Sequence, residues 1–196
     1  MFDWHLVLGI VAGVISFGAI IPYIKDIVYG TTRPNVVSYI LWTVLLLISI
    51  LAQISAGASW SIAFLVGDLI GTSLVTALCL TGYGYGKYGK IEWVCTGLAV
   101  LAIVSWKFTN EPVLAIIFAI IADLMAAVPT VVKTYRDPWS EIPTTWFMIA
   151  CAAILSIAST TIIDFPNLLF PVYLLLVNGT TGTVAFLGRK MQRKPV

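Results

Sequence analysis

The chain has 196 residues, of which 60% are hydrophobic and only 10% charged, with a mean hydropathy of +1.00 and a net charge of +2. A soluble domain of this length has no need of so much apolar surface, and a small charge spread over loops offers no patch for nucleic acid. A membrane-spanning helix takes about 20 largely apolar residues, and segments 4–25, 36–56, 59–82, 91–107, 112–134, 143–163 and 165–188 qualify. The composition therefore predicts an all-α, multi-pass integral membrane protein, of a cell membrane, whose function sits in or between its helices.

No basic stretch precedes the first apolar run and no small-residue cleavage site follows it, so it reads as a retained helix. Gly9 and Gly13, one turn apart, suit close contact with another helix. Pro22 lies in the last turns, where a proline frees a carbonyl and permits a bend. Gly30 and Pro34 punctuate a turn into the second helix, which carries Ser38, Tyr39, Trp42, Ser49 and Gln53. The link around Gly57 is short, so the second and third helices are antiparallel neighbours.

The third helix contains Gly67-Asp68-Leu69-Ile70-Gly71-Thr72, with Asp68 near mid-depth. A carboxylate at that depth costs about 2.5–3.5 kcal/mol on insertion scales. The glycine-rich run from Gly82 to Lys90 reads as a plain loop and a boundary between halves. The fourth segment has few polar groups and reads as a lipid-facing spacer. The fifth holds Asp123 at mid-depth and Pro129 near its end. Ser140-Glu141-Ile142-Pro143 opens the sixth, with proline in the first turn, where its missing N–H is harmless. Ser156 lies deeper in that helix. The seventh carries Asn178-Gly179-Thr180-Thr181-Gly182-Thr183 inside an apolar run. An unsatisfied polar group in hydrocarbon is so costly that this face is expected to meet protein or a cavity.

Lys25, Arg33, Lys87, Lys90, Lys133, Arg136, Arg189, Lys190, Arg193 and Lys194 all fall on one side if there are seven spans, and only Lys107 on the other. Basic residues favour the cytoplasm, so the N-terminus is expected outside and the C-terminus inside. Trp4, Trp60 and Trp106 then mark the outer interface, and Trp93 and Trp139 the inner one. Cys79, Cys95 and Cys151 lie within apolar segments and read as packing residues, not as a disulfide or metal set.

One offset places Ala19 on Ala126, Pro22 on Pro129, Ser38 on Thr145, Tyr39 on Trp146 and Ser49 on Ser156. With a few residues' slack, Asp68 falls on Asn178. The chain thus divides into a three-helix unit (1–86), a spacer helix (87–110), a second three-helix unit (111–188) and a basic tail (189–196). An odd spacer leaves both units in the same orientation, which is the parallel-repeat plan of some transporters.

With these residues the chain resembles the SWEET sugar transporters and the wider PQ-loop group. Asn178-Gly179 with Gly182 is similar to the asparagine-glycine motif of that family's last helix, and Asp68-Leu69-Ile70-Gly71 stands where its third helix has another. Pro22, Pro129 and Pro143 resemble its hinge prolines, and Ser140-Glu141-Ile142-Pro143 its entry to the sixth helix. Tyr23 and Thr130 depart from its glutamines, Val36 from a proline, and Asp68 from an amide. The resemblance implies a seven-helix, three-plus-one-plus-three fold and movement of a small polar, sugar-like or other neutral solute by alternating access.

Asn178 and Asp68, on equivalent helices, are the expected solute-binding pair, with Ser49 and Ser156 as further lining. Interhelical hydrogen bonding is the other reading of Asn178, and backbone bonding within the helix that of the two serines. Asp68 and Asp123 share mid-depth with no lysine or arginine. Either one of them binds a proton that crosses with the solute, or both serve as neutral hydrogen-bonding groups. Pro22, Pro129 and Pro143 are hinge candidates, static kinks being the alternative. His5 is the only histidine, and no nucleophile–base pair, metal set or cofactor motif accompanies it, so no enzyme is expected. A retinal protein would need a lysine within the seventh helix, which has none. The nearest rival is a nicotinamide-riboside-type uptake transporter of the same helix plan, which would rely on stacking around Trp42 and Trp146. The oligomeric state is left open.

Overall fold

The computed structural model describes residues 3–30, 34–57, 59–84 and 89–192; the side chains of residues 91, 92, 102, 128, 129, 133 and 140 lie outside the description. The described residues form α-helices with no strand: α1 (Trp4–Val28), α2 (Val36–Ser55), α3 (Ile62–Leu78), α4 (Lys90–Thr109), α5 (Pro112–Arg136), α6 (Pro143–Ala158) and α7 (Phe165–Met191). A π-helical turn, Cys79–Tyr83, prolongs α3, and a 3-10 turn, Pro138–Ser140, precedes α6.

The helix ends follow local chemistry. Asp3 Oδ1 accepts from the N–H groups of His5 and Leu6 at 3.0 and 3.2 Å, and Asn35 Oδ1 from those of Val37 and Ser38 at 3.0 and 3.2 Å. Such caps satisfy amides that a helix N-terminus leaves unpaired. Asp164 does the same for Asn167 at the start of α7. Gly30 and Gly57 adopt φ of 74° and 83° just beyond α1 and α2, a conformation glycine takes without a steric penalty. The sixth helix is shorter than its apolar run suggested. It ends at Ala158, where the Ser159 hydroxyl turns back to the Ser156 carbonyl at 2.7 Å. The third starts at Ile62, three residues later than expected, after a turn at 60–61.

Five helices are long and apolar enough to cross a membrane: α1, α2, α3 with its π-helical turn, α5 and α7. The outward side chains agree, with Val14, Leu47, Ile154 and Leu176 among many large apolar residues left exposed. A water-soluble monomer rarely carries so extensive an apolar surface; this is the pattern of a multi-pass membrane protein.

Packing follows one scheme twice. α3 lies against both α1 and α2, and α7 against both α5 and α6. The two groups meet through α1 with α6 and through α2 with α5, while α4 covers α5 and touches α2. Small residues make the close contacts: Ala12, Ala19, Ala115, Ala119, Ala122, Ala152, Ala153 and Ala185 are fully buried. Gly9 and Gly13 sit on the backbone of Trp60 and Ala63, and Gly67 on the backbone of Gly13. Close backbone approach suits a setting in which lipid tails are as apolar as the helices and association depends on van der Waals fit.

A methyl group at Gly67 would run into the Gly13 carbonyl, whereas one at Gly97 in α4 meets nothing within 4 Å. Gly67→Ala is expected to cost about 1–3 kcal/mol through overpacking, and Gly97→Ala to be close to neutral. Thermal unfolding of the two variants in detergent checks this: the first should lower the midpoint and the second should not.

Candidate functional site

One cavity of about 320 Å³ lies between the two helix groups. It extends from mid-helix, at Leu45, Asp68, Asp123, Phe170 and Asn178, to the end of the molecule where α2 and α6 begin, at Asn35 and Glu141. Among the described residues, none from the loops at the opposite end lines it.

Asp68 in α3, Asp123 in α5 and Asn178 in α7 all line the deep part. Asp123 accepts a hydrogen bond from the Tyr173 hydroxyl of α7. Asn178 is buried, and its Nδ2 donates to the Leu174 carbonyl one turn back at 2.7 Å, which leaves Oδ1 as the acceptor. Thr181 similarly returns its hydroxyl to Val177. The polar run of α7 therefore divides: Asn178 and Thr181 are buried and line the cavity, while Thr180 and Thr183 are on the exposed face. Gly182 packs on Phe147 and Trp146 and lets α6 approach.

Toward the mouth the wall becomes aromatic. Tyr23 stacks on Tyr39 with centroids 5.9 Å apart, and Tyr39 meets the edge of Trp42 at 5.1 Å. On the other side Trp146, the repeat mate of Tyr39, donates through Nε1 to Glu141 Oε2 at 3.2 Å. The start of α6 is clamped by α7: Arg189 donates to the carbonyls of Pro138 and Glu141 at 3.0 and 2.6 Å and lies 4.7 Å from the Trp139 ring centre. A planar guanidinium with several donors suits this double task.

The far end is closed by hydrogen bonds between the two groups. The Ser59 N–H donates to Asn167 Oδ1 at 3.2 Å, and Ser59 Oγ accepts from the Thr161 N–H at 2.7 Å. The hydroxyls of Ser59 and Thr161 are 3.1 Å apart, and Ser156 Oγ donates to the Ser61 carbonyl at 3.0 Å. Asn167 is fully buried, with its Nδ2 on Asp164.

The cavity thus brings together Asp68, Asp123 and Asn178. Ser49 and Ser156 are fully buried and do not line it; Ser156 belongs to the closed end. Pro22 lies within an uninterrupted α1, and Pro143 is in the first turn of α6. Pro129 falls within α5, its side chain among those not described; Arg33, Lys87, Arg193, Lys194 and the Lys133 side chain of the charge pattern are likewise outside the description. The three cysteines are free, Cys79 and Cys95 buried and Cys151 exposed. Tyr173 and the Ser59–Thr161–Asn167 set escaped the sequence reading, which had Glu141 only in the motif that opens the sixth helix. The repeat pair Tyr39 and Trp146, and the stacking expected around Trp42 and Trp146, pointed toward the aromatic mouth.

The chain matches no family model, no curated protein and no solved structure.

Replacing Tyr173 by Phe keeps the ring and removes the only described donor to Asp123. The expected loss is about 1.5–3 kcal/mol if the acid is ionised, and less if it is neutral. Thermal unfolding in detergent reads the loss, and an unchanged midpoint would show that this bond contributes nothing to stability.

Proposed function

We propose that the protein is a membrane transporter that moves a small polar solute by alternating access. The observation that carries this reading is a cavity between two similarly built helix groups, reaching mid-helix from one end and sealed at the other. A pathway open to one side at a time needs both features. In this reading the seven helices form two parallel three-helix units of the SWEET and PQ-loop type, joined by α4, with the N-terminus outside and the C-terminus in the cytoplasm. The cavity mouth then faces the cytoplasm and the Ser59–Thr161–Asn167 seal faces outward. Asp68 and Asn178, on equivalent helices, hold the solute, and the apolar wall around Leu45 and Phe170 excludes water. The acids give a pH gradient a means of acting on transport, with Asp123 held by Tyr173.

The aromatic lining supports a second reading, uptake of a nucleoside-like vitamin precursor stacked near Trp42 and Trp146. One assay separates the two: uptake of sugars, amino acids and nucleosides into liposomes, with and without a pH gradient. A protein that moves none of them under any gradient is not the transporter described here. Replacing Asp68 or Asp123 by Asn is expected to abolish any response to the gradient; a response unchanged in both variants removes proton coupling through them.

The seal has its own test. Ser59→Cys with Thr161→Cys, in a Cys151→Ser background, places two thiols where hydroxyls lie 3.1 Å apart. Oxidation is expected to stop solute uptake almost completely and reductant to restore it. Full uptake by a verified cross-linked protein would mean that this end does not open.

A further inference from the structure

The transport reading leaves the charge of the solute open, and the cavity wall bears on it. Asp68 and Asp123 line one cavity. Asp123 accepts from Tyr173, whereas among the described residues none donates to Asp68. No described lysine, arginine or histidine lines the cavity. A carboxylate on this wall is left uncompensated by a neutral solute and neutralised by a cation.

The rest of the wall agrees with a cation. Tyr39, Trp42 and Trp146 line the same space, and the faces of such rings attract cations through their quadrupole. Asn178 lines the same cavity, and with its Nδ2 on Leu174 its Oδ1 is a further acceptor. An independent feature concerns the remainder of the ligand. Thr145 lines the cavity at only 7% exposure, and its hydroxyl has no partner among the described residues; Trp42 Nε1 is likewise unpartnered. Buried polar groups are normally paired. The indole N–H is a donor only, so its missing partner is an acceptor such as an ether, hydroxyl or carbonyl oxygen.

We propose that the cavity binds a small organic ammonium ion carrying an oxygen acceptor, with Asp68 as its counter-ion and Trp42 and Thr145 holding the oxygen. This names the solute class of the transport reading and rests on it for the statement that the ion is carried across. It departs from the neutral, sugar-like solute that the family resemblance implies. A sugar can also hydrogen-bond to carboxylates and stack on indole rings, but it brings no charge to offset theirs.

The test uses the purified full chain, by calorimetry in detergent and by uptake in liposomes. The probes are methoxypropylammonium, its neutral counterpart methoxypropanol, propylammonium, glucose and potassium ion. The ammonium ether is expected to bind about tenfold or more tightly than the alcohol, because its hydrogen bonds are charge-assisted. Asp68→Asn should erase that preference. Trp42→Phe should weaken the ammonium ether several-fold and leave propylammonium unchanged, a pattern that general damage to the fold would not produce. If Asp68→Asn does not fold, the wild-type ratio of ammonium to alcohol and the Trp42→Phe pattern decide. Equal binding of ammonium and alcohol, or binding of potassium alone, overturns the proposal. Ammonium binding without uptake upholds the site and removes the transport reading. Glucose uptake without ammonium binding does the reverse.

Discussion

Two carboxyl groups inside a bundle of apolar helices constrain the rest of this molecule. Hydrocarbon cannot hydrogen-bond, so each polar group at membrane depth has to find a partner in the protein or face a polar space. Asp123 has Tyr173, and Asp68 has the cavity. The surrounding helices keep both acids away from the exposed apolar surface. α3 and α7 occupy equivalent places in the two groups, each packed on its two companions, and they carry Asp68 and Asn178. A polar pair on such helices is placed between the groups, where a space remains.

The two groups solve one packing problem differently. In the first, α1 and α3 approach through glycines, with Gly67 on the backbone of Gly13. In the second, α5 and α7 are joined by the hydrogen bond from Tyr173 to Asp123. Ser16 is the repeat mate of Asp123, and its hydroxyl is buried without a described partner. Asp123 therefore has a structural task that its equivalent does not, whereas Asp68 has none. This asymmetry distinguishes Asp123, braced by Tyr173, from Asp68, which lines the cavity with no described donor.

The ties between helices also differ along the molecule's length. At the cavity mouth Arg189 ties the start of α6 to the end of α7 through two carbonyls and an aromatic ring. The opposite end is held by hydroxyls and amides, single bonds each worth about 1 kcal/mol. Hydrogen bonds from a charged guanidinium are individually stronger than these neutral ones.

The number and rough extent of the helices were legible in the sequence because hydropathy is local: a run of apolar residues has to be helical to pair its backbone in lipid. The mid-depth positions of Asp68, Asp123 and Asn178 followed from the same counting. Counting does not tell which buried surface a side chain meets. Ser49 and Ser156 met the same criterion as Asn178 and yet are packed away from the cavity, Ser156 against the backbone of Ser61. Tyr173, Trp42, Glu141 and the Ser59–Thr161–Asn167 seal depend on how each helix is rotated and which distant loop it faces. Those rotations are set by contacts such as glycine on backbone, made between residues far apart in the chain. By itself the sequence determined that polar groups at this depth had to face inward; only the tertiary structure decided which of them share a cavity and which close its far end.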